Sequence, residues 1–345
     1  MSNDKTNVDT APEEFDAATT GRREDTDSPL ARLLTGRSNA DIVGSSRRWL
    51  IVTAVVLGIS LAALAVRGLN FSIEFTGGSS FVEEGATQTF TAAELEETLV
   101  EFGITDAIVQ IVDDGTGAQI STPAISDIEG VDDLEVAAAI EEQTGGDVSV
   151  STIGPRWGEA VTGQAIRGLI VFLLLVITYI TFRFEWRMAV SAVVTLAHDV
   201  LVTIGLYALV GFTVSPSTVI AILTILGYSL YDTVVVFDRI TEDASKLTSV
   251  STVSYGEVAN TALNQVLVRS VSTSITSVLP VASLLVIGAN LLGAATLSDL
   301  ALALFIGMTV GTYSSIIIAA PLLVWLKEKD PKFAELKERA AAGSA

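Results

Sequence analysis

The sequence predicts an α-helical polytopic membrane protein with six transmembrane helices and one small α+β domain outside the membrane. Half of the 345 residues are hydrophobic and the mean hydropathy is +0.54, although the formal net charge is −20. These values conflict for a single soluble domain and fit a membrane protein with acidic soluble parts. Six apolar runs are long enough to span a bilayer. A segment with strand and helix patterns separates the first run from the other five.

Residues 1–44 precede the first apolar run and are rich in acidic, hydroxyl and small residues. Such a segment cannot bury enough apolar surface to offset the entropy cost of ordering it, so we expect a disordered tail. No apolar core lies near Met1, so we do not expect a cleavable signal peptide.

The apolar runs and the basic residues around them predict the topology. The expected transmembrane helices are residues 49–66, 165–182, 188–211, 217–237, 271–292 and 300–326. Lys and Arg lie before the first run, after the second, in the loop 238–270 and in the tail 327–345. By the positive-inside rule, both termini face the cytoplasm and residues 67–164 lie outside, so we expect a multi-pass protein of the cell membrane.

The outer segment, residues 67–164, alternates strand and helix patterns in the order βαββαβ, which is typical of a ferredoxin-like domain. We expect strands at 79–83, 107–112, 117–121 and 147–153, and helices at 92–102 and 132–143. Thr91 and Glu94 have the spacing of a capping box for the first of these helices. The segment contains no histidine, so we interpret it as a contact or gating module and not as an active site.

Composition excludes several classes of function. The chain has no cysteine and one histidine, so thiolate and multi-histidine metal sites are excluded, and we predict no metal, no cofactor and no catalytic residues. The acidic chain has no basic patch, which argues against nucleic acid. An intramembrane protease is disfavoured because no Gly-x-Gly-Asp motif or Ser/His pair occurs at a suitable depth.

The fourth run carries Asp232, with no other charge for fifteen residues upstream. An ionisable group at that depth costs at least about 2.5–3.5 kcal/mol and usually has a partner and a function. Tyr228 and Ser229 share its helical face and form a supporting polar stripe. Two interpretations stay open: a structural ion pair, or a carboxylate that takes up and releases protons.

Two neighbouring runs offer partners for Asp232. Arg269 begins the fifth run, and Thr273 lies one turn further on the same face, so a contact between Asp232 and Arg269 is feasible. In the third run, Asp199 is a candidate second proton site, and His198 is a candidate hydrogen-bond strut to another helix.

The sixth run has a small residue at every fourth position: Ala303, Gly307, Gly311 and Ser315. Small residues on one face let another helix approach closely. The sequence leaves open whether that helix belongs to this chain or to a partner.

Several of these segments together resemble one family. GYSLYDTVVVFDRITED, around Asp232, resembles the fourth-span signature of SecF, the smaller membrane subunit of the SecD–SecF export pair in the resistance-nodulation-division superfamily. GLNFSIEFTGG resembles the family motif after the first span, with Glu74, Phe75, Gly77 and Gly78 at its characteristic positions; many members have Asp where Glu74 stands. Segments 154–161, 197–199 and 263–277 also agree, so the resemblance covers about residues 47–327.

The resemblance implies that the chain uses the proton-motive force to assist the late, extracytoplasmic stage of Sec-dependent translocation. It implies SecD, the SecY-SecE-SecG channel and the translocating preprotein as partners, beside membrane lipids and, as a further expectation, a membrane insertase. Asp232 and Arg269 match the family's fourth-span carboxylate and fifth-span arginine, and Asp199 lies in a family motif.

Two other functions stay open from the sequence. A proton-coupled small-molecule or lipid exporter of the same superfamily would use similar intramembrane acids, although such chains usually have about twice as many spans. A passive translocon scaffold would use Asp232 only for packing. Measured proton flux distinguishes the scaffold from a coupled subunit.

Overall fold

A computed structural model of the protein describes residues 40–112, 115–125, 128, 130–247, 253–290 and 295–343. The disorder predicted for residues 1–44 therefore falls almost entirely outside the described residues. In chain order the elements are α1 (Ser46–Arg67), β1 (Asn70–Phe71), α2 (Ile73–Thr76), β2 (Gly78–Glu84), α3 (Ala92–Glu101), β3 (Ile108–Val112), β4 (Gly117–Thr122), α4 (Asp133–Thr144), β5 (Asp147–Ile153), α5 (Pro155–Arg183), α6 (Trp186–Val210), β6 (Thr213–Val214), α7 (Pro216–Ala244), α8 (Tyr255–Asn290), α9 (Ala295–Ser314), a π-helical turn (Ser315–Ala319), α10 (Ala320–Lys327) and α11 (Pro331–Gly343).

Six helical segments are long and apolar enough to cross a membrane within the part of the chain that the structure describes. They are α1, α5, α6, α7 and α8, followed by α9 continued through the π-helical turn into α10. We call them the first to sixth spans. Their number agrees with the prediction of a six-span membrane protein.

Several spans extend beyond the apolar runs that predict them. The fifth span begins at Tyr255 and not near residue 271. We call its residues 255–270 the inner extension. One face of this extension is buried through Tyr255, Ala259 and Leu263. The side chain of Asn260 on this extension accepts hydrogen bonds from the backbone N–H groups of Ile42 and Val43, at 2.9 and 3.1 Å. A search for apolar runs misses such an amphipathic extension, because only one of its faces is apolar.

The sixth span lies among the third, fourth and fifth spans. Its small residues meet the fourth span of the same chain: Gly307 faces Ile225, and Gly311 faces Ser229 so closely that an added Cβ would crowd either neighbour. The small face therefore packs inside this chain, which answers the question that the sequence left open. By contrast, only 11% of the residues in the most apolar 18-residue stretch of the first, second and fifth spans are buried, as expected of helices that face lipid or partner subunits.

The segment between the first and second spans forms a four-stranded antiparallel sheet in the order β3-β4-β2-β5. Helices α3 and α4 cover it, and the shared core includes Phe81, Leu95 and Ile140. The capping box is present, since Thr91 N–H donates to Glu94 Oε2 at 2.8 Å and Glu94 N–H donates to Thr91 Oγ1 at 3.3 Å. Burial raises the pKa of the Glu83 carboxyl on β2 above its ordinary value.

A second, two-stranded parallel sheet joins this segment to the spans. Strand β1, just after the first span, pairs with β6, just before the fourth, with Asn70 opposite Thr213. The Gln110 side chain of β3 donates to the Gly211 carbonyl and accepts from Thr213 Oγ1, each at 3.0 Å. The outer sheet is therefore attached to the connection between the third and fourth spans, which the sequence suggested only as a plain link.

Candidate functional site

Polar side chains from the third, fourth, fifth and sixth spans meet inside the helix bundle. We call this set the intramembrane polar cluster, and it consists of His198, Asp199, Tyr228, Ser229, Asp232, Thr233, Ser270, Ser274, Thr312, Tyr313 and Ser315. It contains two carboxylates, and its other members are hydroxyls apart from one imidazole. Its helices are those that also build the core of the bundle.

Asp232 is buried on the fourth span, with only 6% of its surface exposed. Ser270 on the fifth span lies 2.8 and 2.7 Å from the two carboxylate oxygens and donates its hydroxyl proton to them. Within the described residues, no Lys, Arg or His nitrogen forms an ion pair with this carboxylate. The structure therefore places a hydroxyl, and not a counter-charge, against Asp232.

Arg269, the residue before Ser270, is exposed. Adjacent residues of a helix point about 100° apart, so turning Ser270 inward turns Arg269 outward. Thr273 lies one turn beyond Arg269, donates to its backbone carbonyl at 2.8 Å and is only partly buried. The face that enters the cluster carries Ser270 and Ser274.

Sequence reasoning missed Ser270 and Ser274 for a definable reason. The segment Arg269–Ser277 carries hydroxyls on both faces of the helix, so hydroxyl periodicity does not identify the inward face. The apolar residues of the preceding turns are a better indicator of the inward face. Ala259, Ala262 and Leu263 are wholly buried, and they lie on the same helical face as Ser270 and Ser274.

Asp199 on the third span is 1% exposed, and Ser229 Oγ donates to one of its oxygens at 2.5 Å. Its other oxygen lies 3.1 Å from Nδ1 of the adjacent His198. The second ring nitrogen of His198 lies 3.0 Å from the hydroxyl of Tyr313 on the sixth span. His198 thus bridges Asp199 and the sixth span, a geometry that fits the predicted strut; the role of Asp199 stays a prediction.

The polar stripe of the fourth span divides among three neighbours. Tyr228 donates to Ser274 on the fifth span at 3.4 Å, whereas Ser229 contacts the third span. Thr233, which the sequence did not single out, donates to Ser315 on the sixth span at 3.2 Å. The fourth span is therefore the helix through which the polar groups of the other three are connected.

The sixth span departs from α-helical geometry beside this cluster. The π-helical turn begins at Ser315, whose hydroxyl donates to the Gly311 carbonyl at 2.8 Å. Single π-helical turns inside α-helices occur frequently at functional sites. The irregular turn and Asp232 thus lie on facing segments of the two central helices.

The motif after the first span forms a tight junction below the outer sheet. Glu74 and Phe75 lie in α2, and Gly77 and Gly78 follow with positive φ angles of 73° and 133°. A Cβ at Gly78 would collide with the Thr122 carbonyl of β4. The glycines are therefore required by backbone conformation and by close approach.

The described residues contain no group of three or more acidic or histidine side chains that could hold a metal ion.

Residues 136–329, more than half of the chain, match the family model described as protein export membrane protein SecD/SecF, C-terminal. The chain belongs to the SecD/SecF family. Residues 62–82 also match the SecD/SecF GG motif, which includes Glu74, Phe75, Gly77 and Gly78.

Curated relatives and a solved structure agree. The chain is 42% identical to the protein translocase subunit SecF of Streptomyces coelicolor over 91% of this chain and 84% of that protein. It is 40% identical to SecF of Mycobacterium tuberculosis, over 87% and 70% of the two chains. The crystal structure of SecDF, a translocon-associated membrane protein, from Thermus thermophilus has a TM-score of 0.74 at 32% identity.

The Thermus match covers 85% of this chain and 39% of the SecDF chain, so this protein spans well under half of that fusion. Its place in the family supports a SecF-like role in Sec protein export, in association with SecD, as a multi-pass membrane protein.

Proposed function

We propose that this SecF-like chain couples the proton-motive force to the late, extracytoplasmic stage of preprotein translocation, with Asp232 as the proton-coupling residue. The observation that carries the proposal is the carboxylate of Asp232, buried against Ser270 and without an ion-pair partner among the described residues. A hydroxyl donates to a carboxylate and accepts from a carboxylic acid. Ser270 can therefore serve both protonation states.

The coupling runs from the cluster to the outer sheet. One proton crossing a potential of 100 mV supplies about 2.3 kcal/mol, and this energy moves a domain only if protonation and domain position are mechanically linked. Asp232 lies on the fourth span, whose outer end follows β6, and β6 pairs with β1 of the outer segment. Protonation of Asp232 shifts the fourth span, and this pairing carries the shift outward.

Arg269 and Asp199 complete the proposed site. Arg269 is near enough to Asp232 to interact with it electrostatically without contact. Its positive charge favours the ionised form of Asp232 from that position. Asp199, linked to the fourth span through Ser229, is a second proton site, while Tyr228 and Thr273 support the polar stripe.

The proposal includes the topology and the partners that the family implies. Both termini face the cytoplasm, and the outer segment, with its βαββαβ order and helix-covered antiparallel sheet, is a ferredoxin-like domain on the extracytoplasmic side. The partners are SecD, the SecY-SecE-SecG channel, the emerging preprotein, a membrane insertase and membrane lipids.

The test is preprotein translocation with membrane vesicles that contain this chain, SecD and the channel, with and without a proton gradient. Asp232→Asn removes the coupling carboxylate and should abolish stimulation by the gradient. Asp238→Asn is the matched control, because Asp238 lies on the same span but is half-exposed and paired with Arg183 at 3.1 Å. Equal stimulation in wild type and Asp232→Asn, with the complex assembled, would support the passive scaffold instead.

A further inference from the structure

A cavity of about 150 Å³ lies far from the intramembrane polar cluster, at the outer ends of the fourth and sixth spans. Its lining includes Ser72 and Glu74 beside β1, Gln119 of the outer sheet, Ser215 at the start of the fourth span, and Asp299 near the start of the sixth. It therefore lies where four separate segments of the fold meet.

The cavity carries two negative charges and no positive ones along its lining. Neither Glu74 nor Asp299 forms an ion pair with any residue that the structure describes. Both are partly buried, and the repulsion between two carboxylates in one small space is relieved by a cation between them or by a proton on one of them.

One buried hydroxyl in the lining is also unsatisfied. Ser72 lines the cavity and is 5% exposed, and its Oγ makes no hydrogen bond in the described part of the chain. Buried polar atoms normally have a partner, and an ion or a water molecule is a common one.

We propose that this cavity binds one divalent cation, Ca²⁺ in preference to Mg²⁺, between Glu74 and Asp299. All available donors are oxygen atoms, which hard cations prefer. A charge of +2 balances the two carboxylates, and Ca²⁺ accepts six to eight oxygens in irregular geometry, including carbonyl, amide and hydroxyl groups. The volume leaves room for water molecules to complete the shell, at about 30 Å³ each.

The site differs in purpose from the proton-coupling cluster. Its ligands come from the segment after the first span, from the outer sheet and from two spans, so a bound ion cross-links the outer sheet to the membrane bundle. The charge and geometry that support it do not depend on proton coupling. Sequence reasoning had no access to it, because Glu74 and Asp299 are more than two hundred residues apart and neither belongs to a metal-ligand motif.

The experiment is calorimetric titration of CaCl₂ into the purified full chain in neutral detergent after removal of metal by a chelator. Wild type should bind one Ca²⁺ per chain with saturation, and Mg²⁺ should bind at least tenfold more weakly. Asp299→Asn and Glu74→Gln should each weaken binding at least tenfold. Asp106→Asn, which neutralises an exposed outer acid, should bind as wild type does.

Absence of saturable Ca²⁺ binding to wild type, or unchanged affinity in both cavity variants, would overturn the proposal. Circular dichroism and gel filtration verify the fold of each variant. If Asp299→Asn does not fold, Glu74→Gln decides alone, because Glu74 is more exposed than the core residues around it. Asp106→Asn weakened as much as the cavity variants would also count against the site.

Discussion

Removing the Ser270 hydroxyl tests whether it controls the protonation of Asp232. In Ser270→Ala the buried carboxylate loses the donor that lies 2.7–2.8 Å from both of its oxygens. A hydrogen bond to a charged group contributes about 1.5–3 kcal/mol. Protonated Asp232 loses the weaker hydrogen bond of a neutral pair, about 0.5–1.5 kcal/mol. Ionised Asp232 should therefore lose about 1 kcal/mol more than protonated Asp232, which corresponds to about 1 pH unit at 1.36 kcal/mol per unit.

The assay is gradient-stimulated translocation measured as a function of the pH on the inner side of the vesicles. The pH at which stimulation falls by half should move upward by about 1 unit in Ser270→Ala, because the protonated acid persists to higher pH. Ser272→Ala is the matched control, since Ser272 is an exposed hydroxyl on the same helix. Superimposable profiles for Ser270→Ala and wild type would refute the assigned role of Ser270.

Three further predictions concern packing and pH. Gly307→Val should lower the thermal unfolding temperature in detergent, because Ile225 fills the space a side chain needs and overpacking costs about 1–3 kcal/mol. Gly78→Ala should speed hydrogen exchange in β2, because its φ of 133° and the Thr122 carbonyl exclude a Cβ. Glu83→Gln should slow hydrogen exchange in β2 at pH 7 but not at pH 4. Burial raises the pKa of Glu83, so ionisation of this carboxyl as the pH rises above 4.5 destabilises the folded strand, whereas Gln does not ionise.

Each of these variants has a matched control in the chain. The control for Gly307→Val is Gly168→Val, at a position on the second span with open space around it. The control for Gly78→Ala is Gly154→Ala, at a glycine with an ordinary φ of −68°. Glu84→Gln neutralises the exposed neighbour of Glu83 on the same strand. If any control behaves like its partner variant, the local explanation for that position is wrong.

The parts of the fold that depend on local pattern could be predicted from the sequence. Six spans follow from the length of the apolar runs, and the capping box of α3 follows from the spacing of Thr91 and Glu94. Burial of Asp232 follows from its place within an apolar helix. These features depend on residues within a few turns of one another, which periodicity detects.

The parts that depend on tertiary choice could not be predicted. The fifth span presents Ser270 to Asp232 and turns Arg269 away, and the inner extension of the same helix has a buried face that includes Ala259 and Leu263. The pairing of β1 with β6 involves two residues on each side, separated by more than a hundred in the chain. No local pattern marks so short a strand, and only the assembled bundle brings its partner close.

In the proposed coupling, the two-residue pairing of β1 with β6 also sets an energy scale for movement of the outer domain. The junction consists of a few hydrogen bonds, including those of Gln110 and one from the Ser72 N–H to the Val214 carbonyl at 3.0 Å. Each contributes about 0.5–1.5 kcal/mol, so a few of them together are comparable to the 2.3 kcal/mol that one proton supplies at 100 mV. A longer sheet at this position would hold the domain too tightly for one proton to release, and no sheet would leave it uncoupled. In the proposed coupling, the junction therefore needs about the energy of one proton to open.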